Sequence, residues 1–382
     1  MITETNDIKK IGIMTFHDGV SHGAMLQAYG LQTTLAKQGH KPEIINYDRK
    51  VLPNKSGVTL LTFRGRVKAK LIKIAQFFVK IFVRKHVLET KRKFNDFQTN
   101  ELNISKVRYQ SIAELRKNPP IYDNYIVGSD QVWNPDSINH EAYYFTFLSV
   151  DKNTIAYAPS IGVSKIDIVE IREKMREYLT HVKHLSCREE DGKKVIEEIT
   201  NRKVERVLDP SLLLSHEEWL THFPAVKQDK RYVLCYLLGS LSYGRKAARK
   251  YARKHKLKVI YIFQNPREVL TVGKKKYGVD PKEFISLFEG AEAIFTDSFH
   301  GTAFAVNFNK TFYSLVRRNH TGPSSRISRI KGFLEIFDLQ DRLLFPKQKM
   351  SFSDKINFDE VNKKLEIERN NSLDYLKKSL AG

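Results

Sequence analysis

The chain has 382 residues and carries 65 Lys and Arg against 43 Asp and Glu, a formal net charge of +22. That length exceeds one ordinary core and predicts two domains, and the charge calls for an anionic partner: a phosphate-bearing substrate, a membrane surface or nucleic acid. Cys187 and Cys235 stand alone, without CxxC spacing, and no apolar run reaches transmembrane length. A disulfide scaffold and a spanning helix are thereby excluded, and with no secretory leader visible a reduced, cytoplasmic setting is expected.

Lys10 to Thr15 reads as a strand, Gly23 to Gln38 as an amphipathic helix closed by Gly39, and Glu43 to Tyr47 as the next strand. This βαβ unit predicts a parallel sheet. The loop between Phe16 and Gly23 lacks the G-x-G-x-x-G fingerprint, so no dinucleotide cofactor is predicted. His17 and His22 lie on that loop without metal-ligand spacing and are expected to be exposed, with sugar contact the alternative; no metal site is predicted. Leu60 to Phe97 then breaks the alternation as a long, helical, basic excursion. From Arg64 to Lys93 it holds eleven basic residues against Glu89 alone, and Leu60, Phe63, Val67, Leu71, Ile74, Phe78 and Ile81 form one apolar stripe.

Tyr122 to Val127 returns as a strand and ends in Gly128-Ser129-Asp130-Gln131-Val132-Trp133-Asn134-Pro135. Ser129, Asp130 and Trp133 thus collect at a strand's carboxyl end. Asp130 either caps the turn or binds or deprotonates a sugar hydroxyl, and Trp133 either joins the core or offers a stacking face. Asn153 to Ala158, His184 to Cys187 and Val204 to Leu208 are further strands, the last followed by Asp209, which reads as a turn residue before Pro210. Residues 1–215 form the expected first domain, a polar stretch over 216–230 the linker, 231–345 the second domain, and 346–382 a tail whose helix packs back across both.

In the second domain the decisive stretch is Thr296-Asp297-Ser298-Phe299-His300-Gly301-Thr302. A buried strand over Glu292 to Asp297 leads into a helix start from Thr302. Asp297, Ser298 and His300 therefore meet helix-terminal N–H groups where open α/β sheets bind ligands, and Gly301 permits close approach. His300 is the group suited to proton delivery near neutrality.

Taken with Ser21-His22-Gly23-Ala24-Met25-Leu26-Gln27-Ala28-Tyr29, Ser186-Cys187-Arg188-Glu189 and Leu208-Asp209-Pro210-Ser211, these motifs resemble the polysaccharide pyruvyl transferase family, over roughly Ile11 to Leu344. The resemblance implies two doubly wound, Rossmann-like α/β domains facing a cleft (GT-B-like), the first on the acceptor side and the second on the phosphoenolpyruvate side. It also implies transfer of pyruvate from phosphoenolpyruvate onto a sugar as a ketal. The family's Arg-Leu-His-Gly motif is matched at His300 and Gly301, but Ser298 stands in the arginine's place, which removes a bidentate anion partner. Arg188 matches the arginine of the family's Ser-x-Arg-Glu motif and is expected on the anion. Arg326 is a candidate for the missing charge.

A nucleotide-sugar glycosyltransferase is the alternative on the same scaffold, since fold alone does not choose between them. Nucleic acid is not the expected partner, because no nucleic-acid-binding pattern accompanies the charge. The expected partners are phosphoenolpyruvate and a sugar or lipid-linked oligosaccharide acceptor; the basic excursion either packs its stripe on the first domain with a solvated basic back or rests on an anionic inner-membrane face.

Overall fold

The computed structural model describes residues 8–48, 66–135, 141–228, 230–239, 241–263, 273–317, 327–348, 352–353 and 355–382, and of 66–83 the backbone alone. The first half runs β1 (Lys10–Met14), α1 (His22–Lys37), β2 (Lys41–Tyr47), α2 (Arg66–Glu101), β3 (Ile104–Tyr109), α3 (Ile112–Lys117), β4 (Asn124–Val127) and β5 (Asn153–Ala156). It continues with α4 (Val169–Leu179), β6 (Ser186–Cys187), α5 (Glu190–Thr200), β7 (Glu205–Arg206) and α6 (His216–His222). The second half holds β8 (Tyr232–Tyr236), α7 (Ser242–Lys254), β9 (Lys258–Ile262), β10 (Lys274–Lys276), α8 (Pro281–Glu289), β11 (Ala293–Thr296), α9 (Phe299–Asn307), β12 (Thr311–Leu315), α10 (Ile327–Ile336) and β13 (Leu343–Leu344). Helix α11 (Phe358–Ala381) closes the chain.

The first sheet has the order β3-β2-β1-β4-β5 and the second β10-β9-β8-β11-β12-β13, with every pairing parallel. The protein is therefore an α/β fold of the expected GT-B-like kind. In each sheet the strand order reverses once, between β1 and β4 and between β8 and β11, and a crevice opens outside such a reversal.

Local chemistry sets the element ends. Ser21 caps α1 by accepting from the Ala24 N–H, and Gly39, at φ 88°, supplies the left-handed residue that stops it. Two expectations are corrected. Helix α2 is no insertion: it is the crossover from β2 to β3, its edge neighbour in the same sheet, and parallel neighbours need such a connection. Its apolar stripe from Val67 to Ile81 lies among side chains outside the described set, and Leu60 and Phe63 lie outside the described residues altogether. Nor is 216–230 a bare linker. Ser215 and Glu218 form a capping box on α6, and Trp219 is fully buried, with its indole N–H on the Ser211 carbonyl.

One apolar cluster joins the halves. It runs from Leu26 and Tyr29 of α1 through Trp219 to Phe284 of α8 and Phe304 of α9. Helix α11 spans both sides: Arg369 reaches the Leu212 carbonyl and Asn307, Ser372 accepts from the Leu208 N–H, and Tyr375 donates to the Ala156 carbonyl.

Candidate active site

Loops from both strand-order reversals line one cavity of about 240 Å³. Val20, Ser21 and Gly23 follow β1, Asp130 and Gln131 follow β4, Leu238 follows β8, and Asp297 to His300 follow β11. Arg317, at the end of β12, and Arg329, on α10, complete the wall. The N-termini of α1 and α9 both face this space. Ser298 caps α9 by accepting from the Gly301 N–H, as Ser21 caps α1, so the first-turn N–H groups of Phe299 and His300 have no intrahelical acceptor. Two positive helix ends and two guanidinium groups make the cavity suited to an anion.

His300 is buried to 8% exposure and packs directly on Gly23: a Cβ there would overlap its ring. Its Nε2 lies 3.4 Å from Asp209 Oδ2, an ion-pair distance without hydrogen-bond alignment. Asp209 is the buried hub behind the cavity. Its Oδ2 accepts from Arg188 Nη1 at 2.6 Å and Ser129 Oγ at 2.8 Å, while Oδ1 accepts from the Ser211 N–H and hydroxyl. Burial alone would raise its pKa; His300, Arg188 and Ser211 outweigh this and hold it well below the usual carboxylate range. The expected turn residue is present, since Oδ1 makes the turn, and Oδ2 in addition holds Arg188 and faces His300.

Arg188 does not open onto this cavity. Its guanidinium stacks 4.0 Å from the Phe299 ring centre and pairs with Glu189 at 3.1 Å as well as with Asp209. Burial opposes its charge, but the two carboxylates prevail and raise its pKa. Its Nη2 is buried without a hydrogen-bond partner among the described residues. A neighbouring cavity of about 410 Å³, which shares Phe299 and Arg329 with the first, is where Arg188 and Asp209 surface.

The remaining candidates divide. Asp130 lines the cavity with φ 74°, and its Oδ1 accepts from the Gln131 N–H, so it is a turn former that also faces the site. Asp297 lines it too, but its carboxylate is taken up by the Leu238 and Gly239 N–H groups and by Arg317 Nε at 2.7 Å. Gly301 lies against Thr296 with no room for a Cβ, a close helix-on-strand contact rather than a ligand contact. Ser129 is fully buried behind the cavity on Asp209.

Trp133 is corrected: it is fully buried, stacked on Tyr144 at 5.3 Å, and donates to the Tyr143 carbonyl, which leaves no face for a sugar. His17 and His22 are buried, not exposed. His22 Nε2 meets the Val279 carbonyl at 2.9 Å between the rings of Phe94 and Phe284, and burial lowers its pKa to about 4. Arg326 lies outside the described residues. Arg317, just past β12, is the charge that sequence reasoning missed, and Arg329 sits on a helix that was not predicted. Among the described residues no cluster of His, Cys, Asp and Glu suits a metal ion.

A family model described as "Polysaccharide pyruvyl transferase" matches residues 22–319. No curated protein matches the sequence significantly. Solved structures with a similar chain path include a UDP-GlcNAc 2-epimerase from Neisseria meningitidis, at 12% identity, covering 95% of this chain and 99% of that one, with a TM-score of 0.45. A putative UDP-N-acetylglucosamine 2-epimerase from Listeria monocytogenes gives 14%, 97%, 96% and 0.48, and an alpha-glucosyltransferase in complex with UDP and a 13-mer DNA gives 9%, 98%, 100% and 0.49.

Proposed function

Because the chain belongs to the polysaccharide pyruvyl transferase family, we propose that it moves the pyruvyl group of phosphoenolpyruvate onto two hydroxyls of a sugar as a cyclic ketal. The sugar belongs to a cell-surface polysaccharide or its lipid-linked precursor. The observation that carries this reading is the cavity where two helix N-termini, Arg317 and Arg329 surround space beside His300. Phosphoenolpyruvate is a small molecule with a phosphate and a carboxylate, and it needs both anion contacts and a proton.

His300 delivers that proton to the vinyl carbon, which becomes the methyl group. The adjacent carbon becomes oxocarbenium-like and is attacked by one sugar hydroxyl; a second hydroxyl then displaces phosphate. Two hydroxyl protons leave the sugar, one matched by the proton on the methyl group and the other carried off by phosphate. Asp130 faces the same space and serves as acceptor for a hydroxyl proton. Asp209, 3.4 Å from Nε2, keeps the His300 ring oriented. Arg317 stands in for the arginine replaced by Ser298, whose hydroxyl caps α9, and Arg188 acts from behind by fixing Asp209 and Phe299.

The test is product analysis with phosphoenolpyruvate and saccharide acceptors. Phosphate release that requires acceptor, with pyruvate recovered as a ketal, is expected; Arg317→Ala should weaken phosphoenolpyruvate binding about ten- to hundredfold. UDP release from a nucleotide sugar, with none of this from phosphoenolpyruvate, would establish the glycosyltransferase instead.

Peripheral contact with the inner membrane face is part of the same proposal. Among the described residues no helix is long and apolar enough to cross a membrane, and Arg84, Lys85 and Lys91 of α2 are exposed. Each basic group near an anionic surface contributes about 1 kcal/mol. Co-sedimentation should need anionic lipid, fall with salt and weaken when these three become Glu; equal recovery with neutral vesicles counts against the contact.

A further inference from the structure

A second cavity, of about 690 Å³, opens at the carboxyl side of the first sheet, walled by the loop after β1, the end of β2, the last turns of α2, and β3. Its chemistry differs from that of the anion cavity. Two carboxylates, Asp18 and Asp48, meet two cations, Lys106 and Arg108, and Asp48 pairs with Arg108 at 2.8 Å. The anion cavity is balanced in the same way by Asp130 and Asp297 but adds two helix N-termini; this one has only the last turns of α2, and so suits a neutral ligand. Asn46, Asn95, Gln98 and Thr99 add amides and a hydroxyl beside Tyr47 and His17, and Leu102 and Ile104 are apolar.

The two rings are fixed. Tyr47 is half-buried and held edge-on against Tyr143, with centroids 6.0 Å apart. His17 is 2% exposed and donates from Nδ1 to the Thr15 carbonyl at 2.9 Å, so in the neutral ring Nε2 is an acceptor, with no partner among the described residues. A pyranose presents an apolar C–H face edged by hydroxyls. A fixed phenol ring beside planar amides and one acceptor nitrogen is complementary to that pattern.

We propose that this cavity is the binding site for a neutral saccharide and, given the transferase reading above on which this rests, the acceptor site. The continuity of one loop supports the assignment. His17, Asp18 and Gly19 line this cavity, whereas Val20 and Ser21 line the anion cavity. A saccharide seated against Tyr47 is thus separated from the anion cavity by a single loop, at Gly19 and Val20. Helix α2 takes a specificity role through Asn95, Gln98 and Thr99.

The experiment is saturation-transfer NMR on the full chain with lactose, N-acetyllactosamine, maltose and chitobiose. In parallel, phosphoenolpyruvate binding is measured by calorimetry. At least one disaccharide should bind the wild type, and Tyr47→Ala should weaken it about tenfold while leaving phosphoenolpyruvate affinity unchanged. Asn95→Ala with Gln98→Ala, on the outer turns of α2, should weaken it as well and guards against a Tyr47 variant that fails to fold. Absence of binding by all four probes, or equal binding by both folded variants, overturns the site. Saccharide binding that behaves as expected in a protein that ignores phosphoenolpyruvate leaves this site standing and removes the pyruvyl transfer.

Discussion

Gly23 is where one atom decides the position of the proposed proton donor. A methyl group there would occupy space held by the His300 ring, yet alanine is the better helix former. Gly23→Ala should therefore leave the thermal midpoint within a few degrees and lower kcat about a hundredfold, with a smaller change in phosphoenolpyruvate affinity. Turnover at the wild-type rate would show that the ring has slack. His22, one residue earlier, makes a pH prediction. Burial takes its pKa from 6.5 to about 4, against the raising effect of the Val279 carbonyl. The unfolded chain binds a proton that the folded one refuses, so this stability is complete above about pH 6.5 and falls by about 3 kcal/mol as pH drops through 4. Urea unfolding at pH 7.5 and 4.5 should show the loss in the wild type and much less of it in His22→Gln. At this scale the sequence was legible where chemistry follows position along a strand and opaque where it follows burial. His300 at a strand end could be read directly. That Asp209 would face His300 across 91 residues of chain, or that Trp133 would stack on Tyr144, depends on packing that no local pattern carries.

Helix α6 is the clearest case of an element hidden by its composition. Seven residues of sequence H-E-E-W-L-T-H look polar, and Pro224 follows, so the stretch reads as a connection. One indole and one capping box make it a helix instead. Ser215→Ala should cost about 1 kcal/mol and Trp219→Ala about 3–5 kcal/mol in denaturant unfolding. Equal, negligible effects would return the segment to the status of a linker. Helix α2 shows the opposite error. Its length and charge suggested an insertion because β3, with the alternation I-S-K-V-R-Y on a sheet edge, carries too few apolar residues to announce a strand. Once β3 is seen, α2 is the ordinary crossover, lengthened, and its end helps to form the second cavity.

For the whole molecule, the alternation of strands and helices made two parallel sheets legible, while the shared apolar cluster between them was not. That cluster predicts cooperative unfolding of the halves. The two tryptophans report separately, since Trp133 lies in a first-half cluster and Trp219 in the cluster shared by both. Variants retaining one tryptophan each, Trp133→Phe and Trp219→Phe, should be compared with a global probe such as circular dichroism. Within each variant the fluorescence and dichroism midpoints should coincide. Separated midpoints would mean that the halves melt independently.

Helix α9 carries His300 at one end and at the other Asn307, which Arg369 of α11 grips through its side-chain oxygen at 3.3 Å. Nine helical residues form a stiff rod about 14 Å long. Such a rod transmits displacement without absorbing it. A displacement of α11 is thereby carried along α9 to its His300 end, which gives the back of the protein a mechanical link to the proposed proton donor.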